Sequence, residues 1–100
     1  FVGEGEDPSP DALAKLDPII KNLGEMVTGM TMIDVPSEIA PQHLKIINAL
    51  EKILENLSDI MAFDRDPILA LGAVNQYVEN IDALELAIID ILKAILKMFE

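Results

Sequence analysis

The stretch HLKIINALEKILENLSDIM, residues 43–61, decides the fold of this 100-residue chain. One series of positions recurs along it at alternating intervals of four and three: His43, Ile47, Leu50, Leu54, Leu57 and Met61. Most of its charged and amide side chains fall on the opposite side of a helical projection. Because an α-helix completes a turn in about 3.6 residues, this alternation predicts a helix over about residues 38–62 with one buried face.

The same spacing occurs on both sides of this stretch. The preceding series consists of Leu13, Leu16, Ile20, Leu23, Val27 and Met30, and it is flanked by Ile19, Met26 and Ile33. The following series consists of Val74, Tyr77, Ile81, Leu84, Ile88, Ile91, Ile95 and Met98. These two series predict further helices over about residues 10–33 and 67–99.

Proline and acidic residues mark the ends of the predicted helices. Pro18 lacks a backbone N–H and disfavours helical geometry at the residue before it, so we expect a kink there. The segment IDVPSEIAP, residues 33–41, is predicted to connect the first two helices. Asp66 precedes Pro67, and this order is typical of an N-cap followed by the first residue of a helix.

Residues 1–9, FVGEGEDPS, combine glycine, proline and acidic side chains with little that could be buried. They predict a flexible acidic lead-in, with Ser9 as the N-cap of the first helix. Because the chain begins with Phe1 rather than methionine, we also expect it to be a segment of a longer protein.

Three helices with short connections predict one all-α domain over residues 10–100, an antiparallel up-down-up three-helix bundle with a long third helix. The third predicted helix is longer than the second by about eight residues, or roughly 12 Å at about 1.5 Å per residue. The C-terminal turns of that helix are therefore expected to extend beyond their neighbours.

The C-terminal stretch AIIDILKAILKMFE, residues 87–100, is more apolar than one buried stripe requires. Three explanations are open: the 33–41 connector folds over it, it contacts a protein partner or a second copy, or it continues into a further helix. Exposed apolar patches on soluble domains commonly mark interaction sites. The residues predicted to form such a contact are Ile89, Leu92, Leu96, Met98 and Phe99.

Composition limits the classes of partner. With 51% hydrophobic residues the chain has enough apolar material to fold, and a net charge of −11 would repel nucleic acid. Charged residues interrupt every apolar stretch before the ~20 residues that a transmembrane helix needs, so no membrane span is predicted. The chain contains no cysteine, which leaves no disulfide and no thiolate chemistry.

No catalytic, cofactor or metal site is predicted. His43 is the only histidine and has no metal-binding spacing, so we expect a structural role for it. The acidic residues near Asp64 lack the glycine and closing glutamate of a calcium loop. Asn56, Leu57 and Ser58 form a glycosylation triplet, but it lies within a predicted helix.

The methionines at positions 26, 30 and 61 lie on or beside the apolar series of the predicted helices, where methionine ordinarily fills a core. A methionine-lined groove that receives a partner helix is the alternative.

Two segments, VPSEIAPQHLKIINALEKI and FDRDPILALGAVNQYV, resemble uncharacterised helical proteins of candidate-phylum bacteria with small genomes. The matching positions are Val35, Pro36, His43, Leu44, Asn48, Asp66, Pro67 and Tyr77. Many proteins of that group look exported and belong to the cell envelope, so the resemblance implies an extracytoplasmic location and no activity.

These observations together predict a non-enzymatic helical interaction or structural module, the soluble domain of an envelope-associated bacterial protein. The alternative is a small carrier that binds an apolar ligand between its helices. An enzyme is the third hypothesis, and the inventory of acids, bases and nucleophiles does not favour it.

Overall fold

The computed structural model describes residues 10–100, and the predicted lead-in with its Ser9 cap lies outside them. The helices are α1 (Pro10–Ala14), α2 (Leu16–Thr31), α3 (Ala40–Met61) and α4 (Pro67–Met98). Helices α1 and α2 together correspond to the first predicted helix. The all-α fold and the long last helix are thus confirmed.

The first helix is interrupted at Lys15, three residues before the predicted kink at Pro18. A proline ring inside a helix clashes with the carbonyl group four residues earlier, which here belongs to Ala14. Ending α1 at Ala14 removes that clash and places Pro18 in the first turn of α2. Proline is tolerated in a first turn because the N–H groups there have no acceptor within the helix.

Neighbouring helices run antiparallel, and contacts at several levels fix their register. His43 near the start of α3 contacts Met30 near the end of α2. Asn56 in α3 contacts both Gln76 and Asn80 in α4, whereas Lys45, eleven residues earlier, lies beside Asp90. The order of α2, α3 and α4 is therefore up-down-up, as the sequence predicted.

Helix α3 is the central element of the core. Its buried residues are Ile46, Ile47, Ala49, Leu50, Ile53, Asn56, Leu57 and Ile60. Helix α4 is ten residues longer, yet it fully buries only Ala70, Ala73 and Ala87. Small side chains let the backbone of α4 lie close to α3, while most of its large side chains remain partly or wholly exposed.

The extra length of α4 does not form the predicted C-terminal overhang. Lys97 and Met98 share a groove with Glu38 and Gln42, so the last turn of α4 lies beside the start of α3. At the opposite end, Ala73 is buried in one cluster with residues of α1 and α2. The extra turns are accommodated there, because α1 and the α3–α4 connection extend the bundle beyond the end of α3.

Asp66 caps α4 as predicted. Its Oδ1 atom accepts a hydrogen bond from the backbone N–H of Leu69 at 3.0 Å, and Pro67 is the first helical residue. The α4 helix has 32 residues and is therefore about 48 Å long at the usual rise. It accounts for most of the 51 Å length of a body that measures only 24 by 17 Å across.

Candidate interaction surface

An apolar stripe runs along the outward side of the C-terminal half of α4. Four of the five predicted contact residues lie on it, and their exposed fractions are 46% for Ile89, 53% for Leu92, 68% for Leu96 and 84% for Phe99. They follow one another at intervals of three and four residues, so they share one face of the helix. We call this set the α4 stripe.

Met98 is exposed to 40% but lies on a different side of α4. It lines the groove that contains Glu38 and Gln42, so its side chain is directed toward the start of α3. A position two residues from Leu96 is rotated by about 200° around the helix, which separates Met98 from the α4 stripe. The structure therefore separates Met98 from the other four residues of the predicted contact.

The connector between α2 and α3 does not cover the α4 stripe. Ile39 is buried, but Ile33 is exposed, and Glu38 approaches α4 only on the side of Met98. Leu96 and Phe99 are the two most exposed members of the stripe although they lie nearest the connector. The explanation in which residues 33–41 fold over the C-terminal stretch is therefore wrong.

A second apolar stripe lies on α2. In the sequence analysis its residues appeared only as neighbours of the predicted buried series. Ile19 and Met26 are exposed to 50% and 53%, and Ile33 follows at the same interval of seven. On α4 the same interval relates Ile81, Ile88 and Ile95, of which Ile88 is the most exposed.

The two stripes lie on the same side of the molecule. Helices α2 and α4 run in the same direction, and each packs against α3 with its own apolar face. On each helix, the residues that face α3 fix the direction of the other side chains through the helical rotation per residue. Met26 on α2 and Ile88 on α4 thereby lie on the same side of the molecule, away from the outer surface of α3. Within residues 10–100, no Cα atom of α2 comes within 8 Å of a Cα atom of α4. Met26 and Ile88 therefore lie on the two sides of a groove between α2 and α4, which we call the α2–α4 groove.

His43 has the structural contact expected of it. Its Nε2 atom lies 2.9 Å from the carbonyl oxygen of Met30. A carbonyl oxygen only accepts hydrogen bonds, so Nε2 carries the hydrogen and donates it. Met30 is in the last turn of α2, where carbonyl groups lack partners within the helix, and the bond therefore fastens α2 to α3.

Replacing His43 with alanine is expected to lower the free energy of unfolding by about 1 kcal/mol, the usual contribution of such a hydrogen bond. For a domain of this size the melting temperature should fall by roughly 4–8 °C, measurable by circular dichroism. Glu51→Ala changes an exposed residue of the same helix and serves as the control. Equal melting temperatures of the two variants would contradict a stabilising role for the His43 bond.

Three carboxamide side chains form a hydrogen-bonded cluster between α3 and α4, in which Asn56 is buried, Asn80 is half-buried and Gln76 is exposed. Asn56 is only 3% exposed. Its Nδ2 donates to Oε1 of Gln76 at 3.1 Å, and its Oδ1 accepts from Nδ2 of Asn80 at 2.6 Å. Because the Asn56 side chain is enclosed and fully engaged, glycosylation at the Asn56 triplet is incompatible with the folded domain.

The other polar groups show no convergence on a reactive centre. Among residues 10–100, no group of three His, Cys, Asp or Glu side chains could hold a metal ion. Ser37 donates to Glu38 at 2.9 Å, and Ser58 donates to the carbonyl of Leu54 at 3.0 Å. Within the same range, none of the helices combines the length and apolar character needed to cross a bilayer.

A polar groove of about 400 Å³ runs between α3 and α4, on the side away from the α2–α4 groove. Its walls include Lys45, Lys52, Asn48, Asn80 and Asp90, and three alanines form part of its lining. Lys45 and Asp90 approach to 3.9 Å with both side chains more than half exposed, so their attraction is weak.

No protein-family model, no curated protein and no solved structure was found to match this chain.

Proposed function

We propose that this domain is a non-enzymatic helical interaction module and that the α4 stripe is its contact surface. The observation that carries the proposal is the distribution of exposed apolar side chains. Of the sixteen large hydrophobic residues that are exposed, eleven lie on α4 or at its C-cap. Contiguous apolar surface of this kind on a small domain is characteristic of a binding site, whereas isolated exposed residues are ordinary.

The contacts of the polar residues support a non-enzymatic role. His43 and the serines at 37 and 58 are hydrogen-bonded to backbone carbonyls or to a neighbouring carboxylate. A nucleophile needs an adjacent base, and a general base needs a substrate within hydrogen-bonding reach. The described grooves mix charged and amide side chains with alanine, leucine and methionine, a lining that does not specifically favour the alternative of an apolar-ligand carrier.

Because residues 35–78 resemble exported bacterial proteins, we also propose that the domain is located in the cell envelope. In that setting the domain would be the soluble part of an envelope-associated protein, and the α4 stripe would attach it to another component.

The double substitution Leu92→Glu/Leu96→Glu is expected to abolish association through the α4 stripe without unfolding the domain. Both side chains are more than half exposed, so the free energy of unfolding should change by no more than about 0.5 kcal/mol per site. Circular dichroism measures the stability of the variant. Loss of its helical signal would identify these leucines as structural and would contradict the proposal.

Association itself is measured with a photocrosslinking residue in place of Leu92, in the cell that produces the protein. The matched control places the same residue at Glu51, which lies on the polar face of α3. We expect discrete crosslinked products from position 92 that disappear when Leu96→Glu is added. The same products from both positions, or none from position 92, would refute the proposed contact surface.

A further inference from the structure

We infer that the α4 stripe binds the α4 stripe of a second copy of this chain, with the two helices antiparallel and a two-fold axis beside Ile89. The inference rests on the proposed function, because it names the partner that the α4 stripe contacts. The order of the charged side chains along α4 carries the inference, and the position of the stripe leaves room for the second copy.

The exposed apolar face of α4 is long enough for a helix–helix contact of several turns. Val78, which is 57% exposed, precedes Ile89 by eleven residues, or about three helical turns, and so lies on the same face. This face extends from Val78 to Phe99, which is about 32 Å along the helix. Helix α3 packs against the opposite side of α4, where Ala87 is buried, and leaves the face accessible to another molecule.

Charged side chains follow a definite order along this face. Glu85 lies on it about one turn before Ile89, and Lys93 flanks it about one turn after Ile89. Asp82 lies on the same flank as Lys93, because the eleven residues between them make about three turns. All three charged side chains are exposed, and none forms an ion pair within residues 10–100. Glu100 follows the end of the helix, so within α4 the negative charge of this face precedes Ile89 and the positive charge follows it.

An antiparallel second copy complements this order of charges. A two-fold axis perpendicular to the helices and beside Ile89 brings one flank of α4 against the same flank of the other copy, in the reverse direction. Lys93 of each copy then lies beside Glu85 of the other, with Asp82 about one turn further along. In a parallel pair Glu85 would face its own copy, and such a contact between like charges is unfavourable. The charged face is therefore complementary to itself only in the antiparallel direction.

The net charge of −11 is distributed mainly outside this contact. Helix α4 contains four acidic side chains and two lysines. Three of these six side chains, Glu79, Asp90 and Lys97, line grooves on the side of α3. Charges more than about 8 Å apart are largely screened at physiological ionic strength, so the pairs across the two-fold axis outweigh the more distant acids.

Sedimentation of the purified full chain measures the association. We expect a monomer–dimer equilibrium that Leu92→Glu/Leu96→Glu shifts to the monomer. Glu85→Lys and Lys93→Glu should each weaken the dimer by at least about fivefold, because two attractive pairs become two repulsive pairs. An equimolar mixture of these two single variants should regain the lost affinity, because both pairs are restored with their charges exchanged. Single variants that dimerise as tightly as the unmodified chain would overturn the inference.

Matched variants separate the local pairs from the net charge. Glu79→Lys and Lys97→Glu make the same changes of charge on α4, but these side chains line grooves on the side of α3. Both variants should leave the affinity of the dimer unchanged, and circular dichroism checks that every variant remains helical. If net charge governed association, Glu79→Lys and Glu85→Lys would strengthen the dimer equally, and the inference would be wrong.

Single introduced cysteines determine the direction of the contact, because the chain has none of its own. In the antiparallel dimer position 89 lies next to its own copy, whereas the two copies of position 96 are about 20 Å apart along the helices. A short bismaleimide should therefore link the Ile89→Cys variant into covalent dimers much more efficiently than the Leu96→Cys variant. Equal linkage of the two variants would indicate a parallel pair and would contradict the antiparallel contact.

Failure of the inference differs from failure of the proposed function. A purified chain that stays monomeric at every concentration would overturn the second copy as the partner. Crosslinks from position 92 to a different protein in the cell would also overturn it, yet they would support the proposed function. Products with twice the mass of the protein would support both, and the absence of any product would refute the proposed function.

Discussion

Replacing Ile60 with alanine is expected to lower the free energy of unfolding by about 3–4 kcal/mol, within the range observed when large aliphatic side chains are truncated in a core. Ile60 is only 2% exposed and is the largest fully buried side chain of residues 10–100. It belongs to the cluster in which Leu13, Leu16 and Ala73 meet residues of α3. Truncation therefore creates a cavity where α1, α2, α3 and α4 converge, and no single helix can move to fill it without losing other contacts.

Chemical denaturation measures this loss. Native domains of ordinary size are stable by only about 5–15 kcal/mol, so the Ile60→Ala variant should retain a small remainder of the original stability. Ile68→Ala removes the same atoms from a side chain that is 84% exposed, and its free energy of unfolding should stay within about 0.5 kcal/mol of the unmodified protein. If the two variants lost stability equally, Ile60 would not lie in the core described above.

Replacing Asn56 with alanine is expected to lower the free energy of unfolding by about 2–3 kcal/mol. Two hydrogen bonds are lost, each of which contributes about 1 kcal/mol, and the half-buried Asn80 amide loses its partner. Asn48→Ala changes an exposed asparagine of the same helix and should have almost no effect.

A double-mutant cycle isolates the contact between α3 and α4. Asn56→Ala and Asn80→Ala remove the two partners of the 2.6 Å bond. If that bond acts as described, the double variant loses less stability than the sum of the single variants, by at least about 0.5 kcal/mol. Additive losses would show that the hydrogen bond between Asn56 and Asn80 does not contribute to stability.

The helices themselves could be predicted because their signals are local. The alternation of fours and threes along residues 43–61 specifies both the helical period and the buried face, and Asp66 followed by Pro67 specifies where α4 begins. Only neighbouring residues are needed for these inferences. Of the predicted buried series, Ile47, Leu50 and Leu57 are buried, whereas His43, Leu54 and Met61 are only half-buried.

The arrangement of the helices could not be predicted in the same way. Periodicity identifies the apolar faces of α2 and α4 but not whether those faces meet, and in this protein they remain apart. Met98 was grouped with Leu96 for its apolar character, although it also ends the buried series of Ile91 and Ile95, so that helical spacing already separates it from Leu96. The sequence predicted the kink at Pro18, whereas the interruption lies at Lys15. Lys15 follows Ala14, whose carbonyl group would clash with the Pro18 ring in a continuous helix.

The placement of α3 between two helices whose backbones do not approach each other also bears on how the chain acquires its structure. The backbones come close only between consecutive helices and between α1 and α3, although side chains of α1, α2 and α4 meet in the cluster around Ile60. The helices can therefore assemble mainly through the closure of the short loops that connect them, before distant segments of the chain come together. Chains with such low contact order fold quickly, on timescales of about microseconds to milliseconds.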